Sequence, residues 1–123
     1  MTSNIDLMMQ FIGAWEAKDV EGIVARMTPD ARYVNVGMSD TRGREAIREM
    51  LTPFVAGVDQ IRWTVHHIAQ TADGAVLTER TDVFVMGSRT LTVPVVGVCE
   101  FQSGLISAWR DYFDVAGFQA QMI

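Results

Sequence analysis

An α+β domain is predicted, with a strongly curved, mixed or antiparallel sheet wrapped into a cone and N-terminal helices closing a deep pocket. Three observations predict it. Apolar residues recur at helical spacing in the first part of the chain, β-rich runs joined by tight turns fill the rest, and 123 residues suffice for one core but not two. A long twisted sheet of this kind curls, and helices laid on its concave side enclose a pocket.

The elements follow in order. "SNIDLMMQFIGAWEAKD" carries Ile5, Met8, Met9, Ile12 and Trp15 at three- and four-residue spacing, which predicts a helix with one buried face, capped by Ser3 or Asn4. A short second helix is predicted from Val20 to about Met27, ending before Pro29. "ARYVNV", Ala31 to Val36, alternates β-formers and puts Tyr33 and Asn35 on one face of a strand. Thr41 to Gly43 open a third helix, Arg44 to about Ala56, with Ala46, Ile47, Met50, Leu51 and Phe54 as its apolar stripe. From Gln60 to Asp114 four strands are predicted, turning at Asp73-Gly74, Gly87-Ser88 and Ser103-Gly104, the pattern of an antiparallel meander. A short helix is expected near the C terminus. With no repeat or low-complexity segment, residues 1–123 read as one domain.

Composition removes several function classes. A net charge of -5 and a pI near 4.8 lack the basic footprint that nucleic-acid binding needs. Arg42, Arg44 and Arg48 cluster, but Glu45 and Glu49 interleave as a solvated, ion-paired face. The single cysteine, Cys99, excludes an internal disulfide and reads as a small buried hydrophobe. Neither a membrane span nor a secretion signal is legible, so a cytoplasmic location is expected.

Strand parity then sorts the polar groups. In "LTERTDVF", Leu77 to Phe84, alternation puts Arg80, Asp82 and Phe84 on one face. In "ISAWRDYFDV", Ser107, Trp109, Asp111 and Phe113 share a face, and Arg110, Tyr112 and Asp114 take the other. Leu91, Val93 and Val95 form an apolar set on the strand between, where Pro94 is a candidate bulge. If the aromatic residues face inward, two carboxylates and a guanidinium face inward with them, joined by Tyr33 and Asn35. The alternative is a polar network on a wetted sheet face, with Arg80 tying two aspartates together.

The inward arrangement has a chemical consequence. Burial raises an aspartate's pKa, a second aspartate raises it further, and a guanidinium holds one of the pair ionised. A base and an acid then coexist at neutral pH. Opening an epoxide with water needs both, because water attacks well only as it loses a proton and an alkoxide leaves well only as it gains one.

At these residues the sequence resembles the limonene-1,2-epoxide hydrolase family. "ARYVNV", "LTERTDVF" and "AWRDYFDV" match in order, and the layout agrees from the first helix almost to the end. The resemblance implies a cystatin-like or nuclear-transport-factor-like cone and a one-step hydrolysis that needs no cofactor or metal. It implies Asp111 as general base, Asp82 as acid, Arg80 as the bridge between them, and Tyr33 and Asn35 as the holders of the water. Trp109, Phe84, Phe113, Val93 and Val95 are then expected to line the pocket for a small apolar epoxide, and a homodimer is expected. The shorter segment before the first helix and the shorter loop around Gly87 are departures that bear on the pocket's mouth.

Other features carry less chemistry. His66 and His67 are adjacent and point to opposite faces of a strand, with no third ligand at a metal-like spacing; His67 shares parity with Trp63 and is expected inside. The eight methionines read as core, with a few helical ones lining the pocket. Val96, Val98, Ile106, Ala108 and Tyr112, beside Arg110 and Glu100, form the opposite, half-apolar face, which suits a dimer contact. Two other functions fit the same cone: a ketosteroid-isomerase-like or polyketide-cyclase-like enzyme, and a non-catalytic small-molecule-binding module. Arg80 separates these, since an isomerase whose acid acts as a neutral donor gains little from a buried cation.

Overall fold

The structure is a computed structural model that describes residues 2–122. Ten elements run in the order α1 (Asn4–Glu16), α2 (Val20–Ala25), β1 (Met27–Asn35), β2 (Ser39–Arg42), α3 (Arg44–Ala56), β3 (Gln60–Gln70), β4 (Val76–Met86), β5 (Arg89–Gln102), β6 (Leu105–Tyr112) and α4 (Val115–Gln121). The strands form one unclosed mixed sheet in the order β2-β1-β6-β5-β4-β3. β3 to β6 make the expected antiparallel meander, and β1 joins it by pairing parallel with β6. This is the α+β cone expected from the sequence.

The helices form for local reasons and stay for packing ones. Ser3 caps α1 by accepting the Asp6 amide, and the helix buries Met8, Phe11, Ile12 and Trp15 against the sheet. The buried stripe is rotated from the one expected: Phe11 is fully buried, whereas Met9 is 44% exposed. In α3 the buried residues are Ile47, Leu51 and Val55, and Ala46 faces outward. Arg44 leaves the expected ion-paired face and donates to the Met27 carbonyl, while Arg48 pairs with Glu21 and Glu45.

Three departures come from pairing that propensity does not foresee. α2 stops at Ala25 because Met27 already belongs to β1, and Pro29 sits where the pairing of β1 with β6 is interrupted, between Met27 and Arg32. β2, "SDTR", has no β-forming composition; it is held by its ladder to β1 and by Arg32, whose Nε donates to Asp40 across that ladder at 2.9 Å. Pro94 is not a bulge, since β4 and β5 stay in register from Val76 opposite Cys99 to Met86 opposite Arg89. Thr92 directs both its backbone groups to the Gln121 side chain on the flank beyond β6, so two residues on Pro94 points the same way and no ladder bond is lost.

Bulges lie elsewhere and bend the strands, which is how the sheet gains its curvature. One falls between Val65 and His67 and turns both histidines outward. His67, expected inside, is exposed and meets Glu79 on the outer face, where His66 meets Thr81. Another, between Glu100 and Phe101, makes Ser107 the extra residue opposite them. Ile106 therefore faces the core instead of the outer surface, and Ser107 bonds the Glu100 carbonyl.

Candidate active site

The concave side of the sheet and the helices enclose an apolar cavity of about 400 Å³. Its floor is built by register. A single row across the sheet places Ser39 beside Asn35, Asn35 beside Asp111, Asp111 beside Gly97, and Gly97 beside Thr78. Arg80 lies two residues along β4 from Thr78, and Asp82 two further, all three pointing inward by alternation.

Arg80 joins both aspartates. Its Nε and Nη2 donate to Asp82 Oδ1 and Oδ2 at 3.0 and 2.9 Å, a bidentate pair, and Nη2 also reaches Asp111 Oδ2 at 3.1 Å. Nη1 donates to Thr78 Oγ1 at 2.9 Å. The guanidinium lies over the Trp63 ring, 4.6 Å from its centroid. The other oxygen of Asp111 accepts from Trp109 Nε1 at 2.8 Å. Arg80, Asp82 and Asp111 are 1, 3 and 4% exposed, so the sequence's alternative of an ion pair in water does not hold.

Tyr33 and Asn35 stand at the same end as Asp111. The Tyr33 hydroxyl donates to Asn35 Oδ1 at 3.2 Å, and Asn35 Nδ2 donates to Ser39 Oγ at 3.1 Å. Tyr33 stacks on Trp109 at 4.0 Å between centroids, nearly parallel, which fixes the phenol. Burial and the charge of Asp111 raise the pKa of Tyr33, so it is a neutral donor.

Burial sets the protonation of the aspartates. It is the main cause that lifts Asp111 from 3.8 to about 6, with the charge of Asp82 adding and Arg80 and Trp109 opposing. Burial also raises Asp82, against the pull of Arg80. For Arg80 burial works against the charge, but Asp111 and Asp82 together outweigh it and the net shift is upward. Two carboxylates and one guanidinium would leave a net negative charge in a dry cavity, whereas one added proton makes the cluster neutral. The two carboxyls titrate as a pair.

Of the residues expected to line the pocket, Phe84, Phe113, Val93 and Val95 border the cavity, as do Tyr33, Asn35, Asp82 and Asp111. Trp109 is a correction. It is fully buried and lies behind the wall, clamped between Tyr33, Phe11 and Trp15, so it holds Asp111 and does not line the cavity. Alternation put it on the inner face but could not show that Tyr33 covers it.

Several participants were missed. Thr78 lies within the segment Leu77 to Phe84 and has the parity of Arg80, but a threonine in a β-rich run carries no signal of its own. Gly97 carried a signal in its position, a glycine inside a β-rich run. A Cβ at Gly97 would lie 2.5 Å from Arg80 Nη1 and 2.7 Å from Asp111 Oδ1, so only glycine leaves space for the contact. Trp15 and Trp63, stacked at 4.6 Å, line the wall near the guanidinium, and Met38 and Met122 stand exposed at the mouth.

Comparison with known proteins identifies the family and the fold. The family model "Limonene-1,2-epoxide hydrolase catalytic domain" matches residues 2–123. The chain is 39% identical to "Epoxide hydrolase EphG" of Mycobacterium tuberculosis over 106 residues, 85% of this chain and 69% of that protein. Among solved structures it resembles an M. tuberculosis LEH-like epoxide hydrolase, at 33% identity and a TM-score of 0.84, covering 96% of this chain and 87% of the other. An uncharacterised cystatin-fold protein from Novosphingobium aromaticivorans shares the architecture at 25% identity and a TM-score of 0.78, covering 90% and 98%. Over nearly its whole length, this chain belongs to the limonene-1,2-epoxide hydrolase family.

Proposed function

We propose that this protein adds water to an apolar epoxide in one step to give a vicinal diol. Asp111 takes a proton from the water, Asp82 delivers one to the epoxide oxygen, and Arg80 bridges the two. The carrying observation is one donor, Arg80 Nη2, in contact with both carboxylates at 2.9 and 3.1 Å beneath an apolar cavity. A water among Asp111, Tyr33 and Asn35 would have an acceptor for its departing proton and polar partners for its other groups. As its O–H bond breaks toward Asp111, the oxygen attacks a ring carbon, that carbon's bond to the epoxide oxygen breaks, and the Asp82 proton closes the alcohol. Negative charge moves from Asp111 to Asp82, yet the guanidinium touches both throughout, so little reorganisation accompanies the transfer. The product pair then has its proton on Asp111, and exchange through solvent at the open mouth resets it.

Direct attack is tested by one turnover in heavy-oxygen water, with enzyme in excess over epoxide. The label is expected in the diol and not in the protein. Label in Asp82 or Asp111 would mean an ester intermediate and would overturn the one-step reading.

The pH profile follows from the base. Asp111 must be ionised to act, and burial has raised its pKa to about 6, so kcat/KM is expected to fall as pH drops through that region. A profile flat down to pH 4 would remove Asp111 from the role.

The family's dimer suits the outer face of β5 and β6. Val96 and Tyr112, opposite each other in the ladder, are 45 and 46% exposed, with Val98 and Ala108 half-buried beside them. Val96→Asp is expected to shift a dimer toward monomer in sedimentation; a wild-type chain that sediments as a monomer would end this part. The cytoplasmic location expected from the sequence belongs to the same reading, and buried, unpaired Cys99 is compatible with it.

A further inference from the structure

Arg80 and Asp111 are not on neighbouring strands. β5 lies between β4 and β6, so the strands that carry them are roughly 10 Å apart. The guanidinium crosses that gap over Gly97, the only position in the row without a side chain to block it. Crossing needs space, but it also needs a fixed tilt.

The hydrogen bonds show what sets the tilt. The bidentate pair with Asp82 uses Nε and Nη2, so it acts as a hinge along that edge of the guanidinium. Rotation about this hinge keeps both bonds to Asp82 but swings the second N–H of Nη2 away from Asp111. Nη1 is the corner farthest from the hinge, and Thr78 Oγ1 is the acceptor that holds it. Thr78 is 2% exposed, does not line the cavity, and sits in the ladder directly opposite Gly97. Its neighbours on the inner face, Val76 and Val95, are apolar and buried. A hydroxyl there is explained by the guanidinium and not by packing, for which valine has the same shape.

We propose that Thr78 is a positioning residue for the hydrolysis, its hydroxyl oxygen fixing the tilt of Arg80 over Gly97 so that Nη2 bridges both aspartates while charge passes between them. The inference rests on the triad reading above and adds a residue that never touches substrate.

The test compares Thr78→Val, which keeps the shape and removes the acceptor, with Thr78→Ser, which keeps the acceptor and removes the methyl. Limonene-1,2-epoxide is the probe, with styrene oxide as a second. Valine is expected to lower kcat roughly 10- to 100-fold with KM changed less than about threefold, as misplacement of a catalytic group does. It should also move the acid limb of the profile to higher pH, because Arg80 is the larger of the two groups, with Trp109, that hold the Asp111 pKa down against burial. Serine is expected to recover most of the loss and the wild-type limb. A valine variant with wild-type kcat and limb would overturn the proposal, as would a serine variant equally impaired, since the methyl would then be what matters. Thr78→Cys, which differs from Thr78→Ser only in exchanging the hydroxyl for a poor acceptor, replaces valine if that variant does not fold: loss in cysteine but not in serine upholds the proposal, and equal activity of the two overturns it. Wild-type protein inactive on both epoxides would count against the hydrolase reading instead. Carboxyl carbon NMR of Asp111 in the ligand-free protein then decides the role of Thr78: a higher titration midpoint in the valine variant, but not in serine, upholds it, and an unchanged midpoint overturns it.

Discussion

Asp111→Asn is expected to lower turnover by roughly 10,000-fold or more and Asp82→Asn by roughly 100- to 10,000-fold, each in a folded protein. The asymmetry comes from charge. The wild-type pair retains a proton because two carboxylates beside one guanidinium would leave a buried net charge. With Asp111 gone, Asp82 faces Arg80 alone at 2.9 Å and ionises, so the base and the acid's proton are lost together. With Asp82 gone, Asp111 keeps Arg80 at 3.1 Å. It remains a base, and because a protonated Asp82 and an asparagine are both neutral, the residual activity should keep its acid limb near the wild-type value of about 6. Equal losses in the two variants would reject the shared-proton account, and near-normal turnover in either would reject the roles.

The same charges set a stability expectation. Asp111 binds its proton more tightly in the folded protein, about 6 against 3.8, so its contribution to stability is fully present below 3.8 and is lost as pH rises through 6. At neutral pH the ionised carboxylate is therefore a burden on the fold, and Asp111→Asn should melt no lower than wild type. A marked drop in its melting temperature would mean that the carboxylate holds the floor together.

Gly97→Ala is expected to reduce kcat roughly 100-fold or more while leaving the secondary structure intact. A methyl there would sit 2.5 Å from Arg80 Nη1 and 2.7 Å from Asp111 Oδ1, and both atoms are held by other hydrogen bonds, so relief comes only by moving the bridge. The backbone at Gly97 is outside the positive-φ region, and alanine is otherwise tolerated in a strand, which separates loss of bridging from loss of fold. Gly13→Ala is the control: nothing lies within 4 Å of its added methyl, and the helix interior gains roughly 0.5–1 kcal/mol with no change in turnover. Wild-type kcat in Gly97→Ala, measured beside Thr78→Val, would show that the guanidinium has room the geometry does not indicate.

Much of the site was legible because its parts are local. Arg80 and Asp82 sit two apart in a strand, and so do Tyr33 and Asn35, and Trp109 and Asp111; a period of two puts each pair on one face without knowledge of the rest. The turn glycines and the periodicity of α1 and α3 worked for the same reason. What failed was whatever depends on a partner strand. β2 has no propensity of its own, His67 and Ile106 were displaced by bulges, and the burial of Trp109 behind Tyr33 depends on β1 lying parallel to β6.

The sequence by itself determined which side chains travel together, since alternation along one strand is a property of the backbone. Only the tertiary structure decided which pairs meet. Asp111 reaches Arg80 because β5 lies between their strands with a glycine at the crossing point, and that depends on strand order and register. Order and register are settled by burial of the whole core, a sum over residues distant in the chain that no short segment records.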